Sequence, residues 1–268
     1  MAPCLANRAT RSVERDESPV VHLFGGPYVM LGGQRRQVPE GSKRLLAFVA
    51  LRHGRVERRH AAGALWPFGD DPRAAGNLRS ALWRLRGAGV DILVADKWSL
   101  ALRDSVLVDT HLVGAWANRL IDGTPLPDDL MIIRAQVDAL DLLPGWYDDW
   151  AVMERERLRQ RMLHALEALC RQLAALGRHA DAVEAAMTAV HAEPLRESAQ
   201  RALIEAHMAE GNWVEARRGY AAYRELARRE LGVEPSRELT ALVQRLSAAD
   251  IPTVSTGRQV ATVGAATG

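Results

Sequence analysis

The sequence predicts two modules in succession: an α+β unit of short strands and three helices, then an all-α unit built on a repeated helical hairpin. Three observations carry this. Residues 20–39 alternate loosely and are broken by Gly25-Gly26-Pro27 and Gly32-Gly33, the pattern of short strands joined by tight turns. From Thr110 to Asp250 no convincing strand occurs, and helical periodicity with short punctuation takes over. Charge divides at the same place: residues 20–109 carry 14 Lys or Arg against 8 acids, whereas residues 110–250 carry 17 against 22. A basic module is thus joined to an acidic one, which directs attention to an anionic partner for the first half only.

Composition narrows the class. A chain of 268 residues fits two domains at about 100–150 residues each, and 48% hydrophobic with 25% charged residues is ordinary for a globular protein. Two cysteines, Cys4 and Cys170, cannot build a disulfide framework, so a reducing cytoplasm is the expected setting. The first nineteen residues mix Arg8, Arg11, Glu14, Arg15, Asp16 and Glu17 without an apolar run; they predict a disordered segment and no secretion leader. The longest apolar stretch, Leu45 to Leu51, falls far short of the ~20 residues a membrane-spanning helix needs. Residues 251–268 are small and polar and predict a disordered tail.

After the N-terminal strands, Leu45, Leu46, Phe48, Val49 and Leu51 form a short buried helix that His53-Gly54 stops. A second helix spans about Glu57 to Leu65 and ends before Pro67, which disfavours helical geometry at Trp66. Asp70-Asp71-Pro72 is the clearest helix start in the chain, an acidic N-cap followed by proline at the first turn. The third helix runs from there to about Gly87, with Leu78, Ala81, Leu82 and Leu85 on one face. Its other side carries Gly76, Ser80 and Trp83, flanked by Arg73, Asn77 and Arg84 on one hand and by Arg79 and Arg86 on the other. Val90 to Ala95 and Trp98 to Leu102 then read as a hairpin turning at Asp96-Lys97. Strands, three helices and a hairpin are the order of a winged helix-turn-helix with an added N-terminal β-sheet, whose third helix enters a major groove.

The second half repeats itself. Residues 163–196 align with 197–230, placing Leu169 over Leu203, Gly177 over Gly211 and Ala182 over Ala216. That is the 34-residue tetratricopeptide period. Leu166, Leu169, Cys170, Leu173, Ala182, Ala189 and Pro194 fill the close-contact slots of the first unit; Leu203, Ile204, His207, Gly211, Ala216, Tyr220 and Tyr223 fill the second. Flanking helices are expected over about 111–121, 128–141, 149–160 and 236–247, because a single unit cannot bury its own apolar face. The domain map is 1–19 disordered, 20–109 a winged-helix DNA-binding domain, 110–250 an all-α tetratricopeptide-like domain, and 251–268 a disordered tail.

Catalytic and metal chemistries find no motif. The eight histidines show no HExxH pattern and no cysteine at zinc-ligand spacing. The glycine pairs belong to turns, with neither GxxxxGK[ST] nor GxGxxG leading into a helix. No GxSxG occurs, and Cys170 sits on an inward helix face. The pairs Asp70-Asp71, Asp128-Asp129 and Asp148-Asp149 stand at helix starts, where N-capping accounts for them. The expectation is a non-enzyme with no cofactor and no metal. The arginine-bearing side of the third helix has a plain alternative, a solvated face. Its place between a helix pair and a hairpin, in the most basic part of the chain, favours a nucleic-acid groove. Trp83 has two readings, packing on the hairpin or contact with a sugar or thymine methyl.

Two segments carry a family resemblance. LLAFVALRHGRVERRHAAGALWPFGDDPRAAGNLRSALWRLR, Leu45 to Arg86, resembles the DNA-binding half of the Streptomyces antibiotic regulatory protein family. LLPGWYDDWAVMERERL, the 34-residue repeats and ARRELGVEPSREL resemble that family's bacterial transcriptional activator domain. The two together cover about residues 20–247. The resemblance implies an OmpR-like winged helix that binds promoter direct repeats in double-stranded DNA as a dimer. It also implies a repeat domain for dimerisation and regulation, and activation by recruiting RNA polymerase. Carried onto this chain, it implies base reading by Asn77, Arg79, Ser80, Trp83 and Arg84, and phosphate contacts from Arg73, Arg86, Lys97, Lys43 and Arg44. The loop holding Trp66, Phe68, Asp70 and Asp71 becomes a polymerase contact, the alternative being that a buried Trp66 anchors the helices. Arg79 and Trp83 replace the smaller polar residues of many members, and Lys97-Trp98-Ser99 replaces a Gly-Tyr pair at the hairpin tip. The resemblance is to the family's short members, so no appended nucleotide-binding ATPase domain is expected. The competing function is a protein-interaction scaffold in which the basic module has no sequence-specific DNA role.

Overall fold

In the computed structural model, residues 18–131 and 141–249 are described. The expected disordered ends, apart from Ser18 and Pro19, and most of the expected 128–141 helix lie outside these residues. The chain opens on β1 (Val20–His22), β2 (Tyr28–Leu31) and β3 (Gln34–Arg36), consecutive antiparallel strands in register Val21↔Val29 and Val29↔Arg36. Gly32 and Gly33 form the two-residue β2–β3 turn with φ of 52° and 74°, the backbone that such a hairpin demands at both positions. Two further strands escaped the sequence pattern because each has only two residues. They are β4 (Val56–Glu57), ahead of the second helix, and β7 (Leu107–Val108), which pairs parallel with β1.

Three helices and a hairpin follow as expected: α1 (Glu40–Ala50), α2 (Arg58–Leu65), α3 (Asp71–Gly87), then β5 (Leu93–Ala95) and β6 (Ser99–Leu102). The strands form two sheets, β3-β2-β1-β7 and β4-β6-β5. Sequence alternation extended the hairpin too far. Val90 and Ile92 are buried but precede the ladder, and Trp98 sits in the turn rather than on β6. The core of this module is nearly the whole of α1, with Leu45, Leu46, Phe48, Val49 and Ala50 fully buried. Ser42 is the polar exception, its Oγ donating to the Ala81 carbonyl of α3 at 2.9 Å, which satisfies a group too costly to bury unpaired.

The second half is helical: α4 (Asp109–Ile121), a 3-10 turn (Pro127–Leu130), α5 (Asp149–Ala175), α6 (His179–Ala192), α7 (Glu197–Ala209), α8 (Trp213–Leu231) and α9 (Arg237–Ala249). The 34-residue repeat corresponds to the α5–α6 and α7–α8 hairpins. Gly177 and Gly211 turn the two at φ 74° and 82°, and Ala182 and Ala216, five residues on, are both fully buried. One expectation needs correcting. The flanking helix over about 149–160 is not separate but the first half of α5, which runs unbroken because no proline or glycine interrupts it. Between the hairpins the buried Glu167 takes Arg196 Nε at 2.6 Å and the Ser198 hydroxyl at 2.7 Å.

The modules meet along α1. Phe48 meets Trp150 edge to face at 5.2 Å between centroids, Leu142 and Leu143 are buried in the same core, and Phe24 bridges Leu142. Arg155 of α5 holds this turn by donating to the carbonyls of Leu142, Leu143 and Trp146 at 2.7, 2.6 and 3.0 Å. At the start of α4, Asp109 accepts from the backbone N–H groups of Leu23, Phe24 and Thr110. Burial pushes its carboxyl up to about 6, outweighing these N–H bonds, which favour the charged form. Folding therefore takes up a proton here between the ordinary value of 3.8 and about 6. The group's contribution is most favourable below that window and falls as the pH rises through it. Relative to Asp109→Asn, the wild type is expected to lose up to about 3 kcal/mol between pH 4 and pH 7, at ~1.4 kcal/mol per pKa unit. Urea unfolding of both proteins at the two pH values measures this, and a difference independent of pH would contradict it.

Candidate nucleic-acid interface

The geometry of α3 is set by its two ends and its seam. Asp70 caps it, its Oδ1 accepting from the Arg73 N–H at 2.9 Å, and Pro72 occupies the first turn. Ala74, Leu78, Ala81, Leu82 and Leu85 are buried toward α1 and α2. The helical period then leaves Arg73, Arg79, Ser80, Trp83, Arg84 and Arg86 exposed, with Asn77 half-buried at the flank. Trp83 is 75% exposed, which removes the reading that packs it into the hairpin.

The arginines of this face differ in what already holds them. Arg79 and Arg73 have no side-chain ion pair or hydrogen bond among the described residues. Arg84 donates to the Gly41 carbonyl at the start of α1 at 3.2 Å, so closely that a Cβ on Gly41 would lie 3.0 Å from its guanidinium. Arg86 lies 3.8 Å from Asp91. Lys43 pairs with Glu40 at 2.6 Å on the exposed side of α1. Arg44 departs from the sequence expectation: it pairs with Asp148 of the helical module, at the junction rather than on the α3 face.

At the hairpin tip the Asp96 carboxylate accepts from the N–H groups of Trp98 and Ser99, both at 2.7 Å, and from the Ser99 hydroxyl. The Ser99 N–H and then the Trp98 N–H hold this carboxyl below its usual range. That turn presents Trp98, 71% exposed, with the Lys97 ammonium 4.8 Å from its ring centroid. Arg55 and Arg58, absent from the sequence-based set, brace the tip: Arg55 lies 3.4 Å from Asp96 and Arg58 Nη1 donates to the Asp96 carbonyl. The signal that could have found them is the basic run Arg55 to Arg59 beside a short strand.

In the α2–α3 loop, Trp66 is half-buried against the core, whereas Phe68 is 95% exposed. Asp70 is engaged as the cap and Asp71 pairs with Arg59 at 2.8 Å. Among the described residues no group of three or more His, Cys, Asp or Glu could hold a metal ion. Burial pushes the Cys170 thiol up to about 11, the behaviour of a packed rather than a reactive sulfur. No helix among the described residues is long and apolar enough to cross a membrane.

A family model, the bacterial transcriptional activator domain, matches residues 137–247. The regulatory protein AfsR of Streptomyces griseus is 30% identical over 247 residues, covering 86% of this chain and 24% of that protein. AfsR of Streptomyces coelicolor is 32% identical over 219 residues, covering 77% of this chain and 22% of its own length. The chain therefore spans about a quarter of the curated relatives it matches. Among solved structures, Mycobacterium tuberculosis EmbR, determined in complex with a low-affinity phosphopeptide, superposes with a TM-score of 0.65 at 19% identity. That match covers 86% of this chain and 65% of EmbR and shows the fold, a small β-rich winged-helix part followed by helical repeats. The activator-domain match and the two AfsR alignments agree with the winged-helix order ahead of the repeats: the chain carries a bacterial transcriptional activator domain over residues 137–247 and is similar over most of its length to part of the AfsR regulators.

Proposed function

We propose that this protein is a sequence-specific DNA-binding transcription activator. Residues 20–109 act as the DNA-binding domain and residues 110–250 as the activator domain. In this reading α3 enters the major groove of promoter direct repeats, with Arg79, Ser80 and Arg84 on base edges and Asn77 and Trp83 beside them. Arg73, Arg86, Lys43 and Lys97 hold phosphates, and Arg44, engaged with Asp148, leaves that set. Phe68 and its loop contact RNA polymerase, and the helical repeats serve dimerisation and regulation.

One observation carries the reading. An exposed guanidinium without a partner among the described residues, Arg79, stands one turn from an exposed indole, Trp83, on a helix whose opposite seam is buried. Cation and ring together suit a groove that offers acceptor edges and thymine methyls. Selection of bound fragments from genomic DNA by the full chain, repeated across a salt series, tests it. A shared motif occurring as direct repeats is expected. Lys97→Ala is expected to weaken all sequences alike and to lower the slope of log K against log salt by about 0.9. Binding with no enriched motif would favour the scaffold function instead.

A further inference from the structure

A cavity of about 190 Å³ opens where the two modules meet. It exceeds the ~150 Å³ apolar cavity that accommodates a benzene ring. The first module contributes Leu51 and His53, just beyond α1; α4 contributes Thr110 and His111; Leu142 and Leu158 add apolar wall. The polar side belongs to α5, with Glu154, Arg157 and Arg161.

Three groups in this lining have unmet chemistry. Thr110 is 7% exposed and its hydroxyl has no hydrogen-bond partner. His111 stacks on His53 at 3.9 Å between centroids and leaves Nε2 buried without a partner. Arg161 is partly buried and forms no ion pair or hydrogen bond among the described residues. The Thr110 hydroxyl and His111 Nε2, unpaired at this depth, are costly and call for a partner, while the partly buried Arg161 adds a cation that retains access to solvent. The charge balance specifies that partner. Arg157 lies 3.8 Å from Glu154, which leaves Arg161 as the cation without a counter-charge. A carboxylate meets a guanidinium in its own fork geometry, while leucine walls suit a hydrocarbon body and give a bare inorganic anion nothing to bury against.

We propose that this junction cavity binds a small organic carboxylate about the size of benzoate, its charge on Arg161 and its apolar body between Leu51, Leu142 and Leu158. Such a ligand touches both modules and so acts on their relative placement. The site is read through ligand occupancy, independently of whether α3 binds DNA.

The test titrates benzoate into the full chain and follows the ring resonances of His53 and His111 by NMR, in the roughly millimolar range open to so small a ligand. Saturable shifts of both rings are expected, with the neutral isostere benzamide and the Arg161→Gln variant each binding at least about tenfold more weakly. The benzoate–benzamide comparison on the wild-type chain decides the matter even if Arg161→Gln fails to fold. Absence of saturable shifts overturns the proposal, as does benzamide binding as well as benzoate. Undiminished binding by a folded Arg161→Gln variant also overturns it. Inorganic phosphate competing as effectively as benzoate would reduce the site to a general anion site and overturn the carboxylate assignment.

Discussion

Replacing Arg79 with alanine is expected to cost about 1–3 kcal/mol at the operator, roughly five- to 150-fold in affinity, and to flatten preference at one base position. The expectation rests on what Arg79 does in the free protein, which is nothing that its removal would disturb. It is exposed and without an ion pair or hydrogen bond among the described residues, so the thermal midpoint should stay where it is. Arg84 makes the contrast. Its guanidinium already satisfies the Gly41 carbonyl at the start of α1, and Arg84→Ala therefore removes a contact within the fold along with any contact to DNA. Gel-shift titrations of the wild type and Arg79→Ala against an operator series with single base changes separate affinity from preference. If neither changes, α3 is not the reading helix.

The second large effect concerns the junction. Phe48→Ala is expected to destabilise the protein by about 3–5 kcal/mol, the range for truncating a fully buried aromatic. Phe48 is fully buried on α1, takes the edge of Trp150 at 5.2 Å, and lies under the Arg52 guanidinium at 3.6 Å. Trp150 belongs to α5 and His60, 5.9 Å from Phe48 between centroids, to α2, so the void left by the substitution borders both modules. Scanning calorimetry should show a midpoint lowered by about 2–4 °C per kcal/mol, the scale for a folding unit of this size. A loss under about 1 kcal/mol would mean that the α1–Trp150 packing collapses freely around the gap, contrary to a close-packed junction.

The parts of the molecule legible in the sequence are those specified by neighbours in the chain. The start of α3 is written in Asp70-Asp71-Pro72, because capping and proline geometry act within one turn. The repeat is legible because Gly177 and Gly211 recur at one spacing with buried alanines at matching offsets. The exposed face of α3 follows from its buried seam by helical period alone. Two-residue strands such as β4 and β7 carry no period to detect; their existence depends on partners forty to ninety residues away, Ser99 and Leu100 for β4, Val20 and Val21 for β7. The same holds for Arg44. The family resemblance set it among the phosphate contacts, whereas Asp148, distant in sequence, claims it.

By itself the sequence determined the order of the main elements and the arginine-bearing side of α3, since local propensity and periodicity encode both, while the family resemblance rested on the motifs of Leu45 to Arg86 and of the repeats. Only the tertiary structure decided which of those arginines are already engaged, that Trp83 stands in solvent, and that α1 is clamped between α3 and the Leu142 to Trp150 segment. The physical reason is that an ion pair or an aromatic contact requires side chains to meet in space. Which ones meet is fixed by packing across the junction and not by spacing along the chain.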